Sequence, residues 1–66
     1  MYNLLYFNRV RSGLTQQALA DRAGVSRRTV CRLENTGCYP SCRVGMQISQ
    51  ALNCRFEEVF PLELSL

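Results

Sequence analysis

The sequence predicts a single all-α domain of five helices. Three observations carry that prediction. Sixty-six residues allow one domain with a small core, since a chain of this size buries only about 60% of its unfolded surface. Apolar residues make up 47% of the chain and charged residues 20%, a globular rather than a disordered composition. Apolar residues also recur at helical spacing in five stretches, roughly 3–12, 16–23, 27–35, 42–53 and 56–60. Gly13, Gly24, Gly37 and the Pro40-Ser41 pair separate these stretches, and Pro61 closes the last.

Each stretch has its own justification. The first contains the longest apolar run, Leu4 to Phe7. That run is far short of the ~20 residues that span a bilayer. No basic region precedes it to make a signal peptide, so a cytoplasmic protein with no membrane partner is expected. Thr15 stands where an N-cap would accept an orphan backbone N–H of the second helix. Leu14 and Leu19 can close over that helix start as a hydrophobic staple. Gly24 ends the second helix with a residue free to turn left-handed. Ser26 caps the third, with Val25 and Val30 as its staple. Ser41 caps the fourth, and Pro40 excludes an earlier start. The fifth has Arg55 where a cap should be, so a short, frayed helix is expected.

Only about three residues separate the second and third helices, which must therefore cross steeply, as in a helix-turn-helix. Close crossing needs a small residue, and Ala20 is placed for it. Leu19, Val25, Val30 and Leu33 fill the angle between the helices.

Charge is unevenly placed. Residues 1–33 hold six arginines against Asp21, whereas residues 34–66 hold Arg43 and Arg55 against four glutamates. One half is basic and the other mildly acidic, as expected of a module with one side toward a polyanion. All eight basic residues are arginine, whose planar fork suits phosphates and guanine edges. The chain has no histidine for acid–base work and no length for a deep substrate pocket, so neither an enzyme nor a small-molecule substrate is expected. Cys31, Cys38, Cys42 and Cys54 match no common zinc spacing, and no histidine can complete a mixed site. No metal and no cofactor are expected, and the cysteines read as reduced thiols that pack as small apolar side chains.

The run from Gly13 to Asn35, GLTQQALADRAGVSRRTVCRLEN, resembles the helix-turn-helix of the lambdoid phage repressor/Cro family and its bacterial relatives, the Xre-type regulators. The likeness continues through Pro40-Ser41, Ile48, Ala51-Leu52 and Phe56 to Phe60. The resemblance implies a five-helix, lambda-repressor-like domain over residues 1–66, with the helix-turn-helix at 16–35. Such sequences are stand-alone repressors, antitoxins or controllers of restriction–modification operons. The chain departs from the pattern at Gly45 and Cys42, where leucines are usual, at Cys54 in place of valine, and at Asn53 in place of the glycine that closes the fourth helix. Ala18 replaces the acidic residue of a capping box. Losing two leucines should loosen the fourth helix unless Met46, Tyr2, Tyr6 and Phe7 refill the space or a second subunit does.

Arg27, Arg28, Thr29 and Arg32 face away from the Val30/Leu33 core stripe. By resemblance Arg27, Arg28 and Arg32 contact bases in the major groove, where arginine favours guanine O6 and N7; Thr29 is grouped with them. Gln16, at the start of the second helix, is implied to hold the DNA backbone, with Asn35, Thr36 and Arg43 as further backbone contacts. Arg9 and Glu34 match a partly buried ion pair that orients the recognition helix.

The ends suggest association. Leu62, Leu64 and Leu66 alternate as in a strand, and the apolar opening of the chain can pair with them as a short two-stranded element. Phe56, Val59 and Phe60 look too numerous for one turn of helix to hide. A homodimer through about 54–66 would cover them. The sequence therefore points to a regulator that binds double-stranded DNA, most simply a dimeric repressor on a palindromic operator. Two alternatives stay open. One is an antitoxin-like interaction protein with autoregulatory DNA binding; the other is a redox- or metal-sensing regulator using Cys31, Cys38 and Cys42.

Overall fold

A computed structural model of the chain describes residues 3–37 and 39–61. Its five helices are α1 (Leu5–Arg11), α2 (Gln16–Ala23), α3 (Arg27–Thr36), α4 (Cys42–Ala51) and α5 (Phe56–Val59). There is no strand among the described residues. The all-α, five-helix expectation holds.

Side chains set most of the helix starts. Thr15 Oγ1 accepts from the Ala18 N–H at 3.0 Å, so α2 is capped without an acidic residue at that position. Ser26 and Ser41 accept in the same way from the N–H groups of Thr29 and Val44. At α5 the arrangement is one-sided. The Arg55 N–H donates to Glu58 Oε1 at 2.7 Å, and the arginine side chain has no acceptor to return. The helix is four residues long. The chain leaves α2 and α3 through the left-handed Gly24 and Gly37. Asn53 takes the same conformation, with φ of 59°, after α4. Asparagine is among the few side chains that tolerate it, which is how the chain turns there without glycine.

The core is one cluster: Leu5, Leu19, Ala20, Ala23, Val30, Leu33, Ile48, Leu52, Val59 and Phe60. The central helix, α2, packs against both α3 and α4; α4 also meets α5, and α1 meets α3. Two buried asparagine and serine side chains are fully bonded. Ser49 Oγ donates to the Gly45 carbonyl at 2.7 Å. Asn8 Nδ2 donates to the carbonyls of Leu4 and Glu58, at 2.9 and 3.1 Å, and so ties α1 to α5. The Leu4 N–H donates to the Val59 carbonyl at 2.8 Å, making a second tie between the same two helices.

Three expectations are corrected. The first concerns Gly45. No vacancy is left for Met46, Tyr6 or Phe7 to fill, and all three are about half-exposed or more. A Cβ at position 45 would overlap the Phe56 ring and sit 3.1 Å from Pro40 Cγ. The glycine lets the ring lie directly on α4, so the bulk missing from one helix is supplied by the other. Gly45→Ala should therefore destabilise the domain by about 1–2 kcal/mol, overpacking outweighing the helix-propensity gain of roughly 1 kcal/mol. Thermal unfolding of Gly45→Ala, Phe56→Leu and the double variant checks this; the double variant should recover most of the loss, and simple additivity would refute the contact.

The second concerns α5. Val59 and Phe60 are completely buried within the single chain, so they need no second copy to cover them. Phe60 lies between Phe56 and Tyr39, with ring centroids 5.4 and 6.4 Å away. One turn of helix hides its apolar face because Gly45 and the loop before α4 fold over it. Phe56 remains half-buried.

The third concerns the chain ends and cysteines. Residues 5–7 are helical, not extended, because the Asn3 side-chain oxygen Oδ1 accepts from the Leu5 N–H and starts α1 there. Met1, Tyr2 and the tail with Leu62, Leu64 and Leu66 lie outside the described residues, as does Cys38. Cys42 is exposed rather than packed as an apolar side chain, since as the first residue of α4 it stands between exposed Ser41 and Arg43. Cys54 is half-buried against the core, its Sγ donating to the Leu52 carbonyl at 3.4 Å.

Candidate nucleic-acid interface

Helix α3 has one apolar stripe and one charged face. Val30 and Leu33 fill the core while Arg27, Arg28 and Arg32 are exposed. Arg28 and Arg32 are four residues apart and share a face. Neither they nor Arg27 has an ion-pair partner among the described residues. Arg28, Thr29 and Arg32 line a shallow concavity of about 200 Å³, and Ser26 completes its wall. The structure thus brings together three of the four residues expected to reach bases, with Arg27 at the mouth of the helix.

Ser26 was read from the sequence only as a cap. It lies in the same concavity because its hydroxyl does two things. Ser26 Oγ accepts from the Thr29 N–H at 3.1 Å and is 2.9 Å from Thr29 Oγ1. A serine and a threonine three apart across a helix start was the available signal.

Behind the face lies the ion pair. Arg9 Nε donates to Glu34 Oε2 at 2.5 Å and Arg9 Nη2 to Oε1 at 3.1 Å, a two-pronged pairing of α1 with α3. The side chains are 11% and 4% exposed. The bond to Glu34 raises the Arg9 pKa above its ordinary value against the opposing effect of burial. Arg9 Nη1 also donates to the Leu14 carbonyl at 2.8 Å. Gln16 joins this cluster: its Nε2 donates to Glu34 Oε1 at 3.1 Å. The glutamine expected on the DNA backbone is thus also fastened to the carboxylate that orients α3. The Asn3 amide donates to the Leu33 carbonyl at 3.0 Å, a further tie between the chain's start and α3 that has no local sequence signal.

Asn35 and Thr36 are exposed at the end of α3. Asn35 Nδ2 donates to Cys31 Sγ at 3.3 Å, and Thr36 Oγ1 donates to the Arg32 carbonyl at 2.8 Å. Arg43 is exposed in the first turn of α4. No group of three or more metal-ligating side chains occurs among the described residues, and no described helix is long and apolar enough to cross a membrane.

A face of free guanidiniums on the second helix of a tight pair is able to do two things. It can neutralise phosphates, and it can present donors to acceptors in a major groove. Comparison with known proteins agrees with this chemistry. The helix-turn-helix family profile matches residues 6–59. An HTH-type transcriptional regulator of Archaeoglobus fulgidus is 38% identical over 52 residues, covering 79% of this chain and 74% of the relative. The HTH-type transcriptional regulator YgzD of Bacillus subtilis is 36% identical over 55 residues, 83% of each chain. Another HTH-type transcriptional regulator, from Methanocaldococcus jannaschii, is 33% identical over 63 residues, 96% of each chain.

Proposed function

Because the chain belongs to the helix-turn-helix family of DNA-binding transcriptional regulators, we propose that it is a dimeric repressor that reads a palindromic operator through α3. The observation that carries the finer reading is the set of three guanidiniums, Arg27, Arg28 and Arg32, crowded within two helical turns without an ion-pair partner among the described residues. Like charges so close disfavour the free helix, and a polyanion removes that penalty. In this reading Arg27, Arg28, Thr29 and Arg32 contact bases. Gln16, Asn35, Thr36 and Arg43 hold the backbone on either side of the groove, and Arg9 and Glu34 keep α3 at its angle.

Residues 1–66 act as one DNA-binding domain in this account, with the reading unit at 16–35. Two recognition helices must sit about 34 Å apart to enter successive major grooves, and a two-fold dimer provides that spacing. The segment from about 54 onward supplies the interface, chiefly Phe56 and the leucines 62, 64 and 66. Repression follows from occupying a site that overlaps a promoter.

Binding to a duplex selected from a randomised pool tests this. If each half neutralises ~3–4 phosphates, log K against log[salt] should have a slope of roughly −5 to −7. A slope near zero would remove DNA from the account. Deleting Leu62–Leu66 should reduce dimerisation and operator affinity together; a monomer in sedimentation at micromolar concentration, with undiminished binding after the deletion, would rule out the dimer.

A further inference from the structure

Resting on that reading, we propose that the α3 face is an arginine-dominated reader whose guanidinium contacts to bases are to guanine, and that the Ser26–Thr29 hydroxyl pair belongs to it. The inventory of the face is narrow. From Ser26 to Arg32 the residues that are not buried are Ser26, Arg27, Arg28, Thr29, Cys31 and Arg32. A guanidinium carries five N–H donors and no acceptor. The two hydroxyls are bonded to each other, Ser26 Oγ to Thr29 Oγ1 at 2.9 Å. That contact consumes one hydroxyl proton. Whichever oxygen donates it, the other hydroxyl keeps a proton to offer outward. Ser26 Oγ also accepts from the Thr29 N–H, so one of its lone pairs is turned to the helix, while Thr29 Oγ1 keeps at least one lone pair in either arrangement. The concavity is walled by two guanidiniums, which only donate, and by two hydroxyls that hold one spare proton between them.

Adenine is read by a carboxamide that donates to N7 and accepts from N6, and cytosine by an acceptor at N4. The carboxamides nearby do not line the concavity, and each already gives an amide N–H to a partner on the domain. Gln16 is bonded to Glu34, Gln17 Nε2 to Asp21 Oδ1 at 2.9 Å, and Asn35 to Cys31. Glu34 itself holds Arg9. The two charged groups that line it, Arg28 and Arg32, only donate, and the major-groove edge with two adjacent acceptors is that of guanine, O6 and N7. Thymine offers only O4. Arg28 and Arg32, on one face a turn apart, each take one guanine, which gives two guanines per half-site.

Phosphate oxygens suit the same donors, so the test separates the two sources on one DNA. Binding sites are selected from two randomised duplex pools, one with ordinary guanine and one with 7-deazaguanine, which lacks the N7 acceptor and leaves the phosphates unchanged. The ordinary pool should yield sites with guanine fixed at two positions per half-site. The best site should lose roughly tenfold or more in affinity for each fixed guanine replaced by 7-deazaguanine. Arg28→Lys and Arg32→Lys, which keep the charge but lose the fork, should keep the salt slope and each relax one fixed position. Equal enrichment from both pools, or fixed positions occupied by A·T pairs, would overturn the guanine assignment while leaving DNA binding intact. Enrichment from neither pool, with no salt-dependent binding, would overturn the DNA-binding reading itself and this inference with it.

Discussion

Arg9→Ala should destabilise the domain by about 3–5 kcal/mol, the cost of leaving a buried carboxylate unpaired. The Glu34 side chain is 4% exposed and takes both prongs of the Arg9 guanidinium. Without Arg9 its only bonded partner among the described residues is the Gln16 amide, which carries no charge. Small domains often have about 5–15 kcal/mol in total, so the variant should be substantially unfolded at physiological temperature. The pair is a weak source of net stability even so, because two charges had to leave water. Arg9→Met combined with Glu34→Leu should accordingly recover much of the loss. Urea unfolding followed by far-ultraviolet circular dichroism measures all three chains. A loss below about 1 kcal/mol for Arg9→Ala would mean that the pair behaves as an exposed one. The raised Arg9 pKa fixes the sign of its pH dependence. The contribution is fully present below the ordinary arginine value and is lost only as pH rises through the higher folded value. Titration of Arg9 therefore adds no slope to stability at neutral pH.

Removing Arg28 and Arg32 together should act on DNA in the opposite sense to stability. Each arginine-to-alanine change is expected to cost about 1–3 kcal/mol on the selected operator. As neighbours on one face they need not add, but a combined loss of roughly a hundredfold or more is expected. The same double change removes a like-charge pair spaced one turn apart, so the free domain should gain a few tenths of a kcal/mol, about 0.2–0.5. Affinity falling while stability rises separates a lost contact from a damaged fold. Gln16→Ala should weaken binding to all sequences alike, without changing base preference. Fluorescence anisotropy on the operator and on a scrambled duplex, alongside thermal unfolding, reads both quantities. If the arginine variants weakened operator and scrambled duplex by the same factor, Arg28 and Arg32 would be phosphate contacts.

Local chemistry made much of this fold legible in advance. Thr15, Ser26 and Ser41 marked the starts of α2, α3 and α4 because a cap is a relation between residues three apart. Gly24 and Gly37 marked ends for the same reason. The outward face of α3 followed from the core spacing of Val30 and Leu33. Long-range packing stayed hidden. Nothing near Gly45 says that the Phe56 ring will rest on it, since that depends on how α5 returns to α4. The same ignorance made Val59 and Phe60 look homeless when the chain itself covers them. Asn3 and Asn8 were silent because their partners, Leu33 and Glu58, lie 30 and 50 residues away. At the interface, the arginines could be read from periodicity. The attachment of Gln16 to Glu34 could not, because it needs the relative placement of α2 and the end of α3.

The two ties between α1 and α5 bear on how the domain holds together in time. Leu4 and Asn8 reach Val59 and Glu58 across nearly the whole chain. Closing so large a loop costs entropy, though each doubling of length adds only about 0.6 kcal/mol. A single turn such as α5 cannot persist unaided in water, and α1 has only seven residues. Each therefore needs the other in place, and neither can form far ahead of the rest. Folding and opening should then be all-or-none, with both edges of the chain released in the same event. Since α1 also carries Arg9, fraying that begins at α5 is transmitted to the carboxylate behind the recognition helix. The end of the chain most distant from the arginine face in sequence is thus one of the things that keep that face set.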